Sequence, residues 1–174
     1  MSETREQRFT RLFADAYRPL WSYARRRVPL DAIDDVVAET LTIAWRKLDA
    51  IPGEPATLPY LYGVAYRVIG NSLRAHRRHL RLLERVHAEP PPAPEAVEPN
   101  DAVLDALATL RAEDQEVLRL SEWEGLAASE IATVLGCSAN AAALRLSRAR
   151  ARFKVALTGS APSRTSHRRK EIDV

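Results

Sequence analysis

Residues 127–150 read AASEIATVLGCSANAAALRLSRAR, and this stretch decides the fold. Ile131, Ala132 and Leu135 recur at the spacing of one buried helical face. Gly136 follows them, the residue type that accepts the positive φ of a tight interhelical turn. Ser138 can cap a second helix with its side-chain oxygen, leaving other first-turn N–H groups turned outward toward a phosphate. Along that second helix Ala142, Leu146, Ala149 and Phe153 make an inward face, while Arg145, Arg148 and Arg152 are spaced to project from one outer face. A short helix, a glycine turn and an arginine-bearing helix together place side chains in a major groove. The competing reading is an ordinary helical hairpin whose arginines are merely solvated.

Working outward, the chain has 174 residues, 46% of them hydrophobic and 28% charged, enough for one ordinary domain or two small ones. Its alanine, leucine and arginine content favours helix over sheet, so the fold class expected is all-α. The net charge of +3 is unevenly distributed: residues 1–86 hold 15 Lys/Arg against 10 Asp/Glu, and residues 87–100 hold no Lys/Arg and 3 Glu. A local basic excess points to a polyanionic partner. The single Cys137 excludes an internal disulfide, and no Cys/His cluster has zinc-ligand spacing, so neither metal nor cofactor is expected. No apolar run approaches a membrane span and Met1–Thr10 lacks a signal-peptide core. A cytoplasmic protein without membrane insertion is therefore expected.

The prolines and glutamates of residues 87–100 (HAEPPPAPEAVEPN) forbid a regular helix, which makes this segment a flexible acidic linker between two small helical domains. The expected organisation is a domain over 1–86, the linker over 87–100, a helix-turn-helix domain over 101–157, and a disordered basic tail over 158–174. Three helices are predicted in the first domain. One spans about Glu6 to Val28, with Phe9, Leu12, Phe13, Ala16, Leu20 and Tyr23 inward and Pro19 as a kink. The next begins at Asp31 as N-cap and runs to about Leu48, with an acidic edge of Asp34, Asp35 and Glu39. After an irregular loop, Asp49 to Pro59, a third spans about Tyr60 to Val86. On it Arg67, Arg74, Arg77, Arg78, Arg81 and Arg85 fall within about a third of the circumference, with Asn71 beside them and Leu61, Val64, Ala65, Val68, Leu73 and Leu83 opposite. Like charges one turn apart repel, so an arginine stripe with no acid before Glu84 calls for a polyanion. Two further helices, Ala102 to Leu110 and Glu113 to Glu122, complete the second domain.

In this order the features resemble the bacterial extracytoplasmic-function sigma factors. Residues 34–46 (DDVVAETLTIAWR) look like the core-polymerase-binding helix of region two. Residues 60–71 (YLYGVAYRVIGN) resemble the helix that reads the minus-ten promoter element. Residues 123–150 look like region four, which binds the minus-thirty-five element. The chain departs from the family pattern at Ala38, where Gln is frequent, and at Ala141 and Ala143, where Thr and a basic residue are frequent.

The resemblance implies a promoter-specificity subunit that directs core RNA polymerase and assists melting at minus ten, and not an enzyme. It implies core-polymerase contacts by Asp34, Asp35 and Glu39, and minus-ten contacts by Arg67, Asn71, Arg74, Arg77, Arg78 and Arg81. The minus-thirty-five contacts would come from Ser138, Asn140, Ala141, Arg145 and Arg148. The loop Asp49 to Pro59 would cradle a flipped base, with Tyr60, Tyr62 and Tyr66 as stacking candidates of which at least one is core. Partners implied are core polymerase, promoter DNA (duplex at minus thirty-five, single-stranded at minus ten) and an anti-sigma factor. No nucleophile, base and orienting group assemble into a catalytic set. The alternative is a conventional helix-turn-helix regulator, which has no need of the acidic second helix.

Overall fold

The computed structural model describes residues 3–84 and 102–159, with residues 76–84 described in backbone only. The expected linker, the tail from residue 160 and the side chains of Arg77, Arg78, Arg81, Leu83 and Arg85 lie outside the described residues. Within them the chain is all-helical: α1 Arg5–Arg25, α2 Ile33–Arg46, α3 Thr57–Glu84, α4 Ala102–Ala108, α5 Ala112–Glu122, α6 Ala128–Leu135 and α7 Ala139–Gly159. Short 3₁₀ turns at Leu30–Ala32 and Leu48–Ala50 flank α2. None of these helices is long and apolar enough to cross a membrane.

Helix α1 opens on a reciprocal cap: Thr4 Oγ1 accepts from Gln7 N at 3.2 Å, and Gln7 Oε1 accepts from Thr4 N at 2.9 Å. It then continues through Pro19 without interruption. Leu12 and Ala16 before the proline and Leu20, Tyr23 and Ala24 after it are all buried, so tertiary packing holds both halves in line. Phe13, expected inside, is 43% exposed, because the buried stripe follows Leu12, Ala16 and Leu20. Asp31 is not an N-cap; it lies in the 3₁₀ turn and α2 begins after Ala32, with no side-chain cap. Helix α3 starts three residues earlier than expected, taking Pro59 into its first turn, where a missing N–H costs no helical bond.

Helices α1, α2 and α3 pack around Leu20, Ile33, Val37, Leu41, Ala44, Leu48, Leu61 and Val68, and helices α4 to α7 around Leu107, Val117, Leu120, Ile131, Val134, Ala142, Leu146 and Ala149. Each fully buried Leu, Ile or Val contributes about 1.5–3 kcal/mol. The exposed pair Arg5–Asp49, at 2.8 Å with side chains 41% and 79% exposed, contributes at most about 1 kcal/mol. Apolar burial therefore holds each bundle. The sequence leaves the two modules free of one another, whereas here α6 is seated on α3 and the two cores are continuous.

Candidate nucleic-acid interface

Val36, Val37, Thr40, Leu41 and Ala44 turn one side of α2 into the core, so the helical period turns Asp34, Asp35, Ala38, Glu39 and Thr42 outward. All three acids are exposed, and none makes an ion pair among the described residues. Two carboxylates in the first turn suit the positive end of the helix dipole; Glu39, a turn further on, lies outside its reach. Trp45 packs inward, edge-on to Phe9 at 5.1 Å, with the Arg5 guanidinium 5.0 Å from its ring.

The inner side of α3 is buried from Leu61 to Val68, and Arg67, Asn71 and Arg74 are exposed. Arg74 Nη2 donates to Asn71 Oδ1, which ties two of the expected contact residues together. The tyrosines divide: Tyr62 is buried and stacked on Tyr23 at 4.9 Å, Tyr60 is half-buried, and Tyr66 is 39% exposed. Burial, reinforced by the Glu124 carboxylate, pushes the Tyr62 phenol up to about 12. Leu73, expected on the apolar side, is 45% exposed. It lines a cleft of about 320 Å³ with Tyr66, Arg67 and Arg74 on one wall and Glu113, Glu116 and Arg119 of α5 on the other. The loop before α3 bounds a separate cavity of about 150 Å³, where Ile51, Pro52, Gly53 and Glu54 face Arg8, Arg11 and Asp15 of α1. Arg8 Nη2 donates to Ile51 O at 3.1 Å and fixes that loop to α1.

The helix-turn-helix forms as the sequence requires. Gly136 ends α6 at φ 65°, and Cys137 N returns to Ala132 O at 3.0 Å. Ser138 Oγ accepts from Ala141 N at 3.2 Å and caps α7. The Glu130 carboxylate accepts from Ala127 N at 2.8 Å and supplies half of a capping box for α6. Ala142, Leu146 and Ala149 are buried and Phe153 half-buried, leaving Ser138, Asn140, Arg145 and Arg148 exposed and Ala141 half-buried. Arg145 and Arg148 make no ion pair among the described residues. Arg152 does not join them. Its Nη1 donates to both oxygens of the buried Asp114 at 2.8 and 2.9 Å, which braces α7 to α5. Arg150 similarly holds Glu122 at 2.7 Å, and that hydrogen bond keeps the Glu122 carboxyl below its usual range.

Two profile matches cover most of the sequence: Sigma-70 region 2 matches residues 12–79, and Sigma-70, region 4 matches residues 100–153. The chain belongs to the extracytoplasmic-function sigma factors. It is 31% identical over 149 residues, 75% of its length, to the probable RNA polymerase sigma factor RfaY of Xanthomonas campestris pv. campestris, of whose length it spans 37%. Its fold is similar to that of the sigma factor RpoE in complex with the anti-sigma factor NepR from Bartonella quintana, with a TM-score of 0.68 and 23% identity over 86% of this chain and 96% of that one. It is also similar to CnrH in complex with the cytosolic domain of CnrY, with a TM-score of 0.62 and 27% identity over 87% and 88% of the two chains.

One group escaped the sequence reading: Arg27, Glu116 and Glu124, which join across the two modules. Arg27 Nε donates to Glu116 Oε1 and Oε2 at 3.1 and 2.9 Å, and its Nη1 to Glu124 Oε1 at 3.0 Å and Tyr23 O at 2.9 Å. Tyr23 OH donates to Glu116 Oε1 at 3.1 Å, and burial together with that carboxylate pushes the phenol pKa up. Burial opposes the charge on Arg27, but Tyr23 and the two glutamates outweigh it and leave the guanidinium firmly protonated. These partners stand 89 and 97 positions away in the chain, beyond any local spacing rule.

Proposed function

We propose that this protein is a promoter-specificity subunit that binds core RNA polymerase, directs it to promoters and assists melting at the minus-ten element. The observation that carries the reading is the acidic face of α2. Asp34, Asp35 and Glu39 are exposed and make no ion pair among the described residues, and a conventional regulator with the same helix-turn-helix has no use for them. In this reading those acids dock on a basic surface of the polymerase. Arg67, Asn71 and Arg74, with the stripe continued by Arg77, Arg78 and Arg81, hold phosphates and the displaced strand at minus ten. The cavity between α1 and the loop Asp49 to Pro59 receives a flipped base, and Tyr66 supplies an exposed stacking ring. Ser138, Asn140, Ala141, Arg145 and Arg148 sit at the major groove of the minus-thirty-five element. The protein works in the cytoplasm, is not itself an enzyme, and is held in check by an anti-sigma protein, as RpoE is in complex with one.

The test is the double reversal Asp35→Lys with Glu39→Lys. Core polymerase pull-down and run-off transcription should both be abolished, while circular dichroism stays unchanged because neither side chain is buried. Unaltered affinity for core polymerase in a titration of the folded variant removes the docking assignment and returns the regulator reading.

A further inference from the structure

The outer side of α1 carries an aromatic row that the face of α3 does not use. Phe9, Phe13, Tyr17 and Trp21 recur every four residues, so they follow one ridge of the helix at steps of about 6 Å along its axis. Trp45 anchors Phe9 at one end of the row, and Tyr17 stacks on Phe13 at 5.5 Å with 27° between the rings. Tyr17 is nevertheless 38% exposed, and Trp21 is only half-buried. Rings are the largest apolar surfaces a small bundle can bury, so a row left in water at regular spacing calls for a partner.

Arginines stand among these rings. Tyr17, Arg18, Trp21, Ser22 and Arg25 line an open cavity of about 430 Å³. Ser22 and Arg25 also line a second one of about 350 Å³, to which the loop after α1 and helix α5 bring Arg26, Arg119 and Trp123. The two cavities therefore form one groove, and no carboxylate lines either of them. Arg18 and Arg25 make no ion pair among the described residues. Arg25 lies 5.8 Å from the centre of the Trp21 ring, and its place in the last turn suits the helix dipole. Arg18, two turns earlier, has no such use. Arg26 is the most compensated, 3.3 Å from Glu124. Arg119 donates to the neutral Gln115, and burial together with the neighbouring Arg27 holds its guanidinium below the usual arginine range. Guanidiniums and rings alternating along a groove without an acid can take phosphates on the one and flat bases on the other. Steps of about 6 Å exceed the about 3.4 Å between stacked base pairs, so the row suits the unstacked bases of a single strand and not a duplex.

We propose that this side of α1 is a separate surface for single-stranded nucleic acid, with Tyr17 and Trp21 stacking on bases and Arg18 and Arg25 holding phosphates. No described residue of α3 lines either cavity, so the surface is distinct from the one assigned to the minus-ten strand. It does not rest on the sigma-factor reading. DNA and RNA share the ring and phosphate chemistry, and the test carries an arm for each.

The experiment uses the full chain with Arg67→Glu and Arg74→Glu as parent, so that α3 is disabled. Labelled oligothymidylate and oligouridylate of about ten nucleotides are titrated by fluorescence anisotropy at low salt, beside a duplex of the same length. At least one single strand should bind, and more tightly than the duplex. Tyr17→Ala should weaken that binding roughly tenfold, the loss of one stacked base. Arg18→Ala with Arg25→Ala should lower the salt slope by about 1.4, since each phosphate contact on a single strand contributes about 0.7. These three side chains are exposed, so circular dichroism should not change. Trp21→Phe keeps a stacking ring: affinity should hold while quenching of tryptophan fluorescence by the bound strand diminishes. Binding of one strand type alone supports the surface and names its sugar. The proposal is overturned if neither strand binds, if the duplex is preferred, or if the α1 variants match their parent in affinity and salt slope. A pull-down of core polymerase by the unsubstituted chain reads the sigma-factor assignment independently of all these outcomes.

Discussion

Helices α3 and α7 both carry exposed arginines, and they differ in what stands opposite them. Arg67 and Arg74 of α3 line a cleft whose other wall, from the other module, carries Glu113 and the Glu116 already held by Arg27. Arg145 and Arg148 of α7 look into solvent, and two acids of their own module, Glu122 and Asp114, are engaged by Arg150 and Arg152. The face of α7 is thus complete within its module: Ala142, Leu146 and Ala149 fix its orientation and Ser138 its start. The face of α3 is not, because the other module supplies one wall of its cleft. In the proposed function, duplex recognition therefore rests on one module alone, while strand capture meets an acidic wall from the other.

The strongest way to break that contrast is to reverse charges on α3. Arg67→Glu with Arg74→Glu should reduce open-complex formation by the polymerase complex roughly hundredfold or more. Each reversal turns an attraction of about 1 kcal/mol at about 4 Å into a repulsion of similar size. Binding to a duplex carrying only the minus-thirty-five element should be unaffected. Permanganate footprinting of the melted strand reads the first quantity and fluorescence anisotropy the second; equal losses in both would show that α3 and α7 do not divide the work.

On α7 the expected effects are smaller and sharper. Arg145→Ala and Arg148→Ala should each weaken minus-thirty-five binding by roughly 1–3 kcal/mol where the side chain reaches a base edge. A side chain that touches only phosphate should instead lose affinity evenly across sequences, with the salt slope falling by about one. If neither substitution matters at any salt concentration, α7 is not the recognition helix.

The helix-turn-helix was legible because its determinants are local: a glycine forced to positive φ, a serine cap and a 3.6-residue apolar period all lie within 24 residues. The acidic face of α2 was legible for the same reason. The misjudged features depend on residues distant in the chain. Pro19 was expected to kink α1, but packing of Ala16, Leu20 and Tyr23 against α2 and α3 keeps the helix whole. Phe13 and Leu73 fit an apolar period yet lie at its edge, where nothing among the described residues covers them fully. Tyr62 could not be told from Tyr66 until Tyr23 was found stacked on it. The joining of the two modules depends on pairs some 90 residues apart, Tyr23 and Arg27 at the end of α1 with Glu116 of α5, which no periodicity encodes.

Arg152 offers the finest test of the contrast, because the sequence places it with Arg145 and Arg148 while the structure gives it to Asp114. Its guanidinium is 45% exposed but its partner carboxylate only 8%, so the pair is half-screened and its loss falls chiefly on the buried acid. Arg111, 3.5 Å from Asp114, retains part of the compensation. Arg152→Ala should therefore lower unfolding stability by about 1 kcal/mol, measured by denaturant titration, through loosening of α7 on α5. Affinity for the minus-thirty-five duplex and its salt slope should stay as in the wild type. Restoring the stability with Asp114→Asn in the same chain would support the brace, since it removes the stranded charge. If Arg152→Ala instead leaves stability untouched and lowers the salt slope by about one, Arg152 contacts phosphate in the complex and the binding face of α7 extends a full turn further than the free structure indicates.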